Sequence, residues 1–236
     1  MTDIATSTKA IAFDLDDTLY DEAEWVDACL HNVADYCAAH WSDVTAGEVY
    51  ADLHRGATPY DGLTSGAMGM RMSLEQMLEI YRSTQPETLP LRSDAAALLD
   101  WLHTSRTDIA LYLITDGRIA GQSAKIKALG LEKYFSPKHI IISDAIGGDK
   151  KTPLPFETAM ERQGDTAGWI YIGDNLAKDF YWPRRMGWLT TMVRDRGRNV
   201  HPQNIDTTPA DYRPDITVDS LTEIINLLSP KQCQQH

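Results

Sequence analysis

The amino-acid sequence predicts an α/β fold, a doubly wound parallel sheet covered by helices on both faces. Five short runs, 9–13, 108–114, 139–142, 169–172 and 188–193, are rich in Ile, Val, Leu and aromatic residues, as strands buried on both faces should be. Helical patterns at 93–104, 122–129 and 156–162 lie between them, the alternation of a βαβ chain. Polar residues crowd just past several runs, at the carboxyl ends where such a sheet binds its ligands.

The first run leads into FDLDDTLY (13–20), which sets Asp14, Asp16 and Asp17 within four positions. From 21 to 87 the alternation breaks. Val26, Cys29, Leu30, Val33 and Cys37 recur at helical spacing, further helical patterns follow near 46–54 and 73–81, and no convincing strand intervenes. The expected organisation is a core formed by 1–20 and 88–236 with a small α-helical insert at 21–87. Inside the insert, RGATPYDGLTSGAMGMRM (55–72) holds four glycines and reads as a loop. Met68, Met70, Met72 and Met77 there fit packing or a specificity surface, and Arg71 is a candidate contact for an anionic substrate. The second run ends in Thr115 and Asp116. GGDKKTPLPF (147–156) offers Lys150 and Lys151 just before a helix, and IYIGDNLAKD (170–179) ends a strand in Asp174 and follows with Asp179. The basic, loop-like stretch 194–214 reads as a solvated surface connection.

Composition excludes several classes. The chain has 236 residues, 43% hydrophobic and 24% charged, and so is globular rather than disordered. A net charge of −12 disfavours nucleic acid and anionic membrane surfaces as partners. Cys29, Cys37 and Cys233 form no CxxC pair and no signal peptide is evident, which fits reduced thiols and a cytoplasmic location. No apolar run is long enough to span a bilayer.

In a doubly wound sheet the strand ends converge on one crevice, so carboxylates, a hydroxyl and an ammonium far apart in sequence meet there. Carboxylates that close repel by several kcal/mol per pair at an effective dielectric near ~20, so the crevice calls for a cation. All-oxygen ligands favour Mg²⁺ over zinc or copper. A divalent cation beside a lysine and a hydroxyl suits a phosphate group in transfer.

These four stretches resemble the ordered motifs of the haloacid dehalogenase-like (HAD) hydrolase superfamily: DLDDTL the first, LITDG the second, DKKTPLPF the third and GDNLAKD the fourth, of the GDxxxxD form. The match spans about 11–187, and the insert falls where C1-capped phosphatases of that superfamily carry their cap, on a Rossmann-like core. The resemblance implies a Mg²⁺-dependent phosphatase acting on a small phosphorylated metabolite, a sugar phosphate or nucleoside monophosphate. Asp14 is then the nucleophile that forms an aspartyl-phosphate, and Asp16 the general acid and base. Thr115 and the backbone N–H of Asp116 hold phosphate oxygens. Asp14, the Asp16 carbonyl and Asp174 ligate the metal, with Asp179 supporting the metal waters or the lysine. For that lysine, Pro153 and Phe156 stand at the family's offsets from Lys150, while Lys151 fills the usual first proline position, so Lys150 is chosen. Asp17 and Asp21 read as ordinary turn and helix-start acids.

Rival readings differ at Asp16. A haloacid dehalogenase of this superfamily uses the same nucleophile and typically lacks that second aspartate. A receiver-like switch module is about half the length and has neither the insert nor a general base. A phosphomutase of the same superfamily shares the site and is the closest rival.

Overall fold

The computed structural model describes residues 4–55 and 71–229. Six parallel strands, β1 (Ala10–Phe13), β2 (Ala110–Thr115), β3 (Ile140–Ile142), β4 (Trp169–Gly173), β5 (Leu189–Val193) and β6 (Ile216–Val218), form one sheet in the order β3-β2-β1-β4-β5-β6. Successive strand residues point to opposite faces, and both faces are covered. Ile11 and Phe13 join Leu111, Leu113, Ile170 and Ile172 in one apolar cluster, whereas Ala10 and Ala12 join Tyr112, Ile114, Trp169 and Tyr171 in the other. Each large side chain so buried contributes about 1.5–3 kcal/mol. That two-sided burial is why the strands read as continuous apolar runs.

The helices are α1 (Ile4–Ser7), α2 (Glu22–His40), α3 (Ala46–Leu53), α4 (Leu74–Arg82), α5 (Ser93–Ser105), α6 (Ile119–Ala128), α7 (Ser143–Ile146), α8 (Leu154–Gln163), α9 (Tyr181–Arg185) and α10 (Glu223–Leu228). Three of them, α2, α3 and α4, are inserted between β1 and α5, with α2 packed against both others. Reciprocal caps start the shorter two: Thr45 with Glu48 for α3, and Ser73 with Gln76 for α4. Met72 and Met77 are buried packing residues. Met68, Met70 and the four glycines of the neighbouring stretch lie outside the described residues, as does Cys233; Cys29 and Cys37 are buried free thiols. Among the described residues no helix is long and apolar enough to cross a membrane.

The topology sets the site. After β1 the chain moves outward through β2 to β3, then returns to lay β4 on the other side of β1. The crevice at such a reversal point is where open α/β sheets bind ligands. Phe13 pairs with both Leu113 and Ile172, and the Asp14 N–H donates to the Ile172 carbonyl (2.8 Å), so the ends of β1 and β4 are level.

Candidate active site

Asp14 immediately follows β1 and Asp174 immediately follows β4, and both are buried. Between them and Asp179 stands Lys150, which is 0% exposed. Its Nζ lies 2.6 Å from Asp14 Oδ1 and 2.7 Å from Asp179 Oδ1, and donates to the Tyr171 hydroxyl at 3.3 Å. An ammonium has three protons, and here each has an acceptor. Burial alone favours the neutral amine, but Asp14 and Asp179 outweigh it and hold Lys150 charged, well above its ordinary pKa. Lys151, by contrast, is exposed.

Asp179 accepts from the backbone N–H groups of Asp174 (3.1 Å) and Asn175 (2.7 Å) as well as from Tyr171 (3.1 Å). Burial raises its pKa, but Lys150, Lys178 and those donors bring it below the ordinary range. So many donors close to a strand end require Gly173: a Cβ there would meet Asp179 Oδ2 at 2.6 Å. Thr115 ends β2, 1% exposed, and its Oγ1 has no hydrogen-bond partner. An orphaned buried hydroxyl at a strand end is a donor awaiting a ligand oxygen. The Asp116 carboxylate accepts from the Lys150 N–H (3.1 Å) and pairs with Lys178 Nζ (3.3 Å).

Asp16 has a separate set of partners. Lys125 Nζ (2.6 Å) and the Tyr20 hydroxyl (2.5 Å) donate to its Oδ1, and Gln122 Nε2 reaches Oδ2 at 3.3 Å. Burial raises the Asp16 pKa, but Lys125 and then Tyr20 bring it below the ordinary carboxylate range. Gln122 also donates to the Asp116 carbonyl (2.8 Å), linking the turns after β1 and β2. In the sequence Lys125 and Gln122 stand out only as part of the helical pattern 122–129. Their one signal in the sequence is that two polar residues stand three apart, on neighbouring turns of one side of α6.

Most of the stretch 194–214 is exposed, a solvated connection as expected, but three of its residues reach the turns after β1 and β4. Asn199 Nδ2 donates to Asp174 Oδ2 (2.9 Å), Gln203 Nε2 to the Asp174 carbonyl (2.9 Å), and the Val200 N–H to Asp17 Oδ2 (2.7 Å). Arg198 pairs with Asp21 (2.8 Å) and Glu24 (2.7 Å) near the start of α2. Arg198 thus ties the stretch to the insert, while Arg194 pairs with Asp219 and Arg196 with Asp94 of the core. Asp17 is more than a turn acid: it is buried at φ 55°, a left-handed conformation costly for a side-chain residue, and its carboxylate also caps the Glu22 N–H (2.9 Å). Arg71 is engaged away from the strand ends: both terminal nitrogens donate to Asp43 (2.9 and 2.6 Å), with the guanidinium over the Trp41 ring.

One oxygen from each of Asp14, Asp174 and Asp179 lies within 4.8 Å of the others. Burial pushes the Asp14 carboxyl up to about 7 despite Lys150, and pushes Asp174 well above its ordinary value, with Asp179 and Asp14 adding to it. One ammonium therefore leaves this trio short of positive charge on the Asp14–Asp174 side. The donors are all hard oxygens, which fits Mg²⁺ held by Asp14 and Asp174, with Asp179 retained by its lysine.

A family model described as haloacid dehalogenase-like hydrolase matches residues 8–180. A glyceraldehyde 3-phosphate phosphatase of Methanopyrus kandleri is 25% identical, the match covering 93% of this chain and 97% of that protein. Among solved structures, the magnesium-bound HAD-hydrolase YfnB of Bacillus subtilis superposes with TM-score 0.62 at 17% identity, over 95% of this chain and 100% of that one. A 2-haloacid dehalogenase of Pseudomonas syringae superposes with TM-score 0.61 at 18% identity, over 94% and 98%. Likenesses at those identities are of fold.

Proposed function

The chain belongs to the haloacid dehalogenase-like hydrolases, and on that premise we propose that it is a Mg²⁺-dependent phosphatase hydrolysing a small phosphorylated sugar through an aspartyl-phosphate on Asp14. The observation that carries this reading is Asp16, a second carboxylate two residues beyond the nucleophile with its own cationic partner, Lys125. A dehalogenase needs no acid at that position, because halide leaves without a proton. The Methanopyrus relative's named activity supports a sugar phosphate over a nucleotide.

In this mechanism the Asp14 carboxylate attacks phosphorus while Lys150 offsets the charge of nucleophile and phosphate together. Thr115 Oγ1 and the Asp116 N–H hold phosphate oxygens. Asp14, Asp174 and the Asp16 carbonyl would hold Mg²⁺, which would supply neutralisation of the phosphoryl oxygens. Asp179 holds Lys150 in place. Asp16, ionised against Lys125 and Tyr20, is in the form that takes a proton from the water cleaving the intermediate; to protonate the leaving oxygen first, it must give up that contact and gain a proton. The insert, 21–87, acts as a cap that closes the crevice of the core, 1–20 and 88–236, against bulk water. Arg71 contacts substrate only by exchanging Asp43 for it.

The test is phosphate release from a panel of sugar phosphates and nucleoside monophosphates, with and without Mg²⁺. Release from a sugar phosphate that stops on chelation is expected. Metal-independent halide release with no phosphatase activity overturns the reading in favour of a dehalogenase, and net phosphoryl return to a second hydroxyl of the substrate favours a mutase.

A further inference from the structure

Deepening the phosphatase reading, on which it rests, we propose that the cavity between α2, α4 and α6 holds the leaving group, and that Arg82 and Arg118 select one bearing a second anionic group, a carboxylate or a second phosphate. The cavity, about 370 Å³, is of the size that holds a small metabolite; Trp25, Leu78 and Tyr81 give it apolar walls. Gln122 and Lys125 also line it, and these same two side chains hold the Asp16 carboxylate. Attack and departure at phosphorus are roughly in line, so the leaving oxygen lies away from Asp14, toward the group that gives it a proton. The two side chains that hold that group are part of the cavity wall.

Its charge is unusual for this chain. With a net charge of −12, nearly every arginine is claimed. Arg55, Arg71, Arg92, Arg106, Arg184, Arg194, Arg196 and Arg198 pair with carboxylates. Arg162 and Arg213 donate to backbone carbonyls, and Arg185 lies over the Tyr181 ring. Among the described residues, Arg82 and Arg118 alone have no ion pair, side-chain hydrogen bond or aromatic partner, and both line this one cavity. They come from opposite walls, Arg82 from the end of α4 in the insert and Arg118 from the residue before α6 in the core. A guanidinium presents paired donors that match carboxylate and phosphate. Lys125 is already neutralised by Asp16, so a single acid, Glu22, faces the two arginines across the cavity. An anion reaching both arginines would also bridge insert and core, coupling recognition to closure.

The experiment compares esters differing in one anionic group: 3-phosphoglycerate against glycerol 3-phosphate, and fructose 1,6-bisphosphate against fructose 6-phosphate. The first pair reads a carboxylate and the second an extra phosphate. In the wild type kcat/KM should favour the charged member of one pair. Arg82→Gln and Arg118→Gln, both at exposed positions that the fold does not depend on, should each lower that preference about tenfold, the loss of one charge-assisted hydrogen bond, mainly through KM. No preference in the wild type, or a preference that survives the double variant within about twofold, overturns the proposal. Failure to release phosphate from any of the four while the wider panel of sugar phosphates is hydrolysed overturns this proposal alone; failure on the whole panel overturns the phosphatase reading beneath it.

Discussion

Replacing Lys150 by Met removes the one ammonium between Asp14 and Asp179 while keeping the length of the side chain. At 2.6 and 2.7 Å, each ion pair attracts by roughly 6 kcal/mol at an effective dielectric near 20. Desolvating the lysine offsets much of that, and breaking such a buried pair costs about 3–5 kcal/mol net, because two carboxylates are left facing apolar atoms. For a domain of this size the cost corresponds to a fall of roughly 6–20 °C in melting temperature. Turnover should fall further, by about a thousandfold or more, since the phosphate and its nucleophile lose their cation. Thermal melting and phosphate release on the same preparation read both. Lys151→Met, at an exposed position, should melt within about 2 °C of wild type. A Lys150→Met protein that melts like wild type, or that works within tenfold of it, would refute the reasoning.

Asp16→Asn should slow turnover by two to four orders of magnitude while leaving formation of the intermediate detectable as a stopped-flow burst of p-nitrophenol from p-nitrophenyl phosphate, a leaving group that needs little help from an acid. Asn199→Ala frees Asp174 Oδ2 from its donor and should raise the Mg²⁺ concentration for half-maximal activity about 10–100-fold, measured by titrating metal into the chelated enzyme. Glu22 gives a pH signature. Burial, then the Asp16 charge, pushes its carboxyl up to about 7 from an ordinary 4.5. A carboxyl that holds its proton more tightly folded than unfolded lowers stability as pH rises through that window. Glu22→Gln, which imitates the protonated form, should therefore stabilise the protein above pH 7 and have little effect near pH 4, read from melting curves across pH; equal effects at both ends would contradict it.

What the sequence made legible was local. A polar residue at the end of an apolar run announces a strand end, which locates Asp14, Thr115 and Asp174 without knowledge of their contacts, and Lys150 stands in the loop just before a helix. In the sequence Lys150 is separated from Lys151 by its offsets to Pro153 and Phe156, and in the structure burial separates them physically. Three features escaped. β6 is three residues long between acids, too short for a period to register. Lys125 and Gln122 lie inside an amphipathic helix, where polar residues are ordinarily solvated, and only the arrival of Asp16 from 109 positions away gives them a partner. Residues 199–203 bind Asp174 and Asp17 through side chains and backbone in irregular structure, where neither propensity nor periodicity carries a signal.

The most direct measurement is chemical trapping of the nucleophile. Asp16→Asn enzyme mixed with substrate and Mg²⁺, quenched after a few seconds and reduced with borohydride, should yield a peptide covering 10–20 in which Asp14 alone has become homoserine, because reduction acts on an acyl phosphate and spares a free carboxylate. A peptide in which Asp14 is unchanged during turnover, or reduction found at another acid, would contradict covalent catalysis by Asp14.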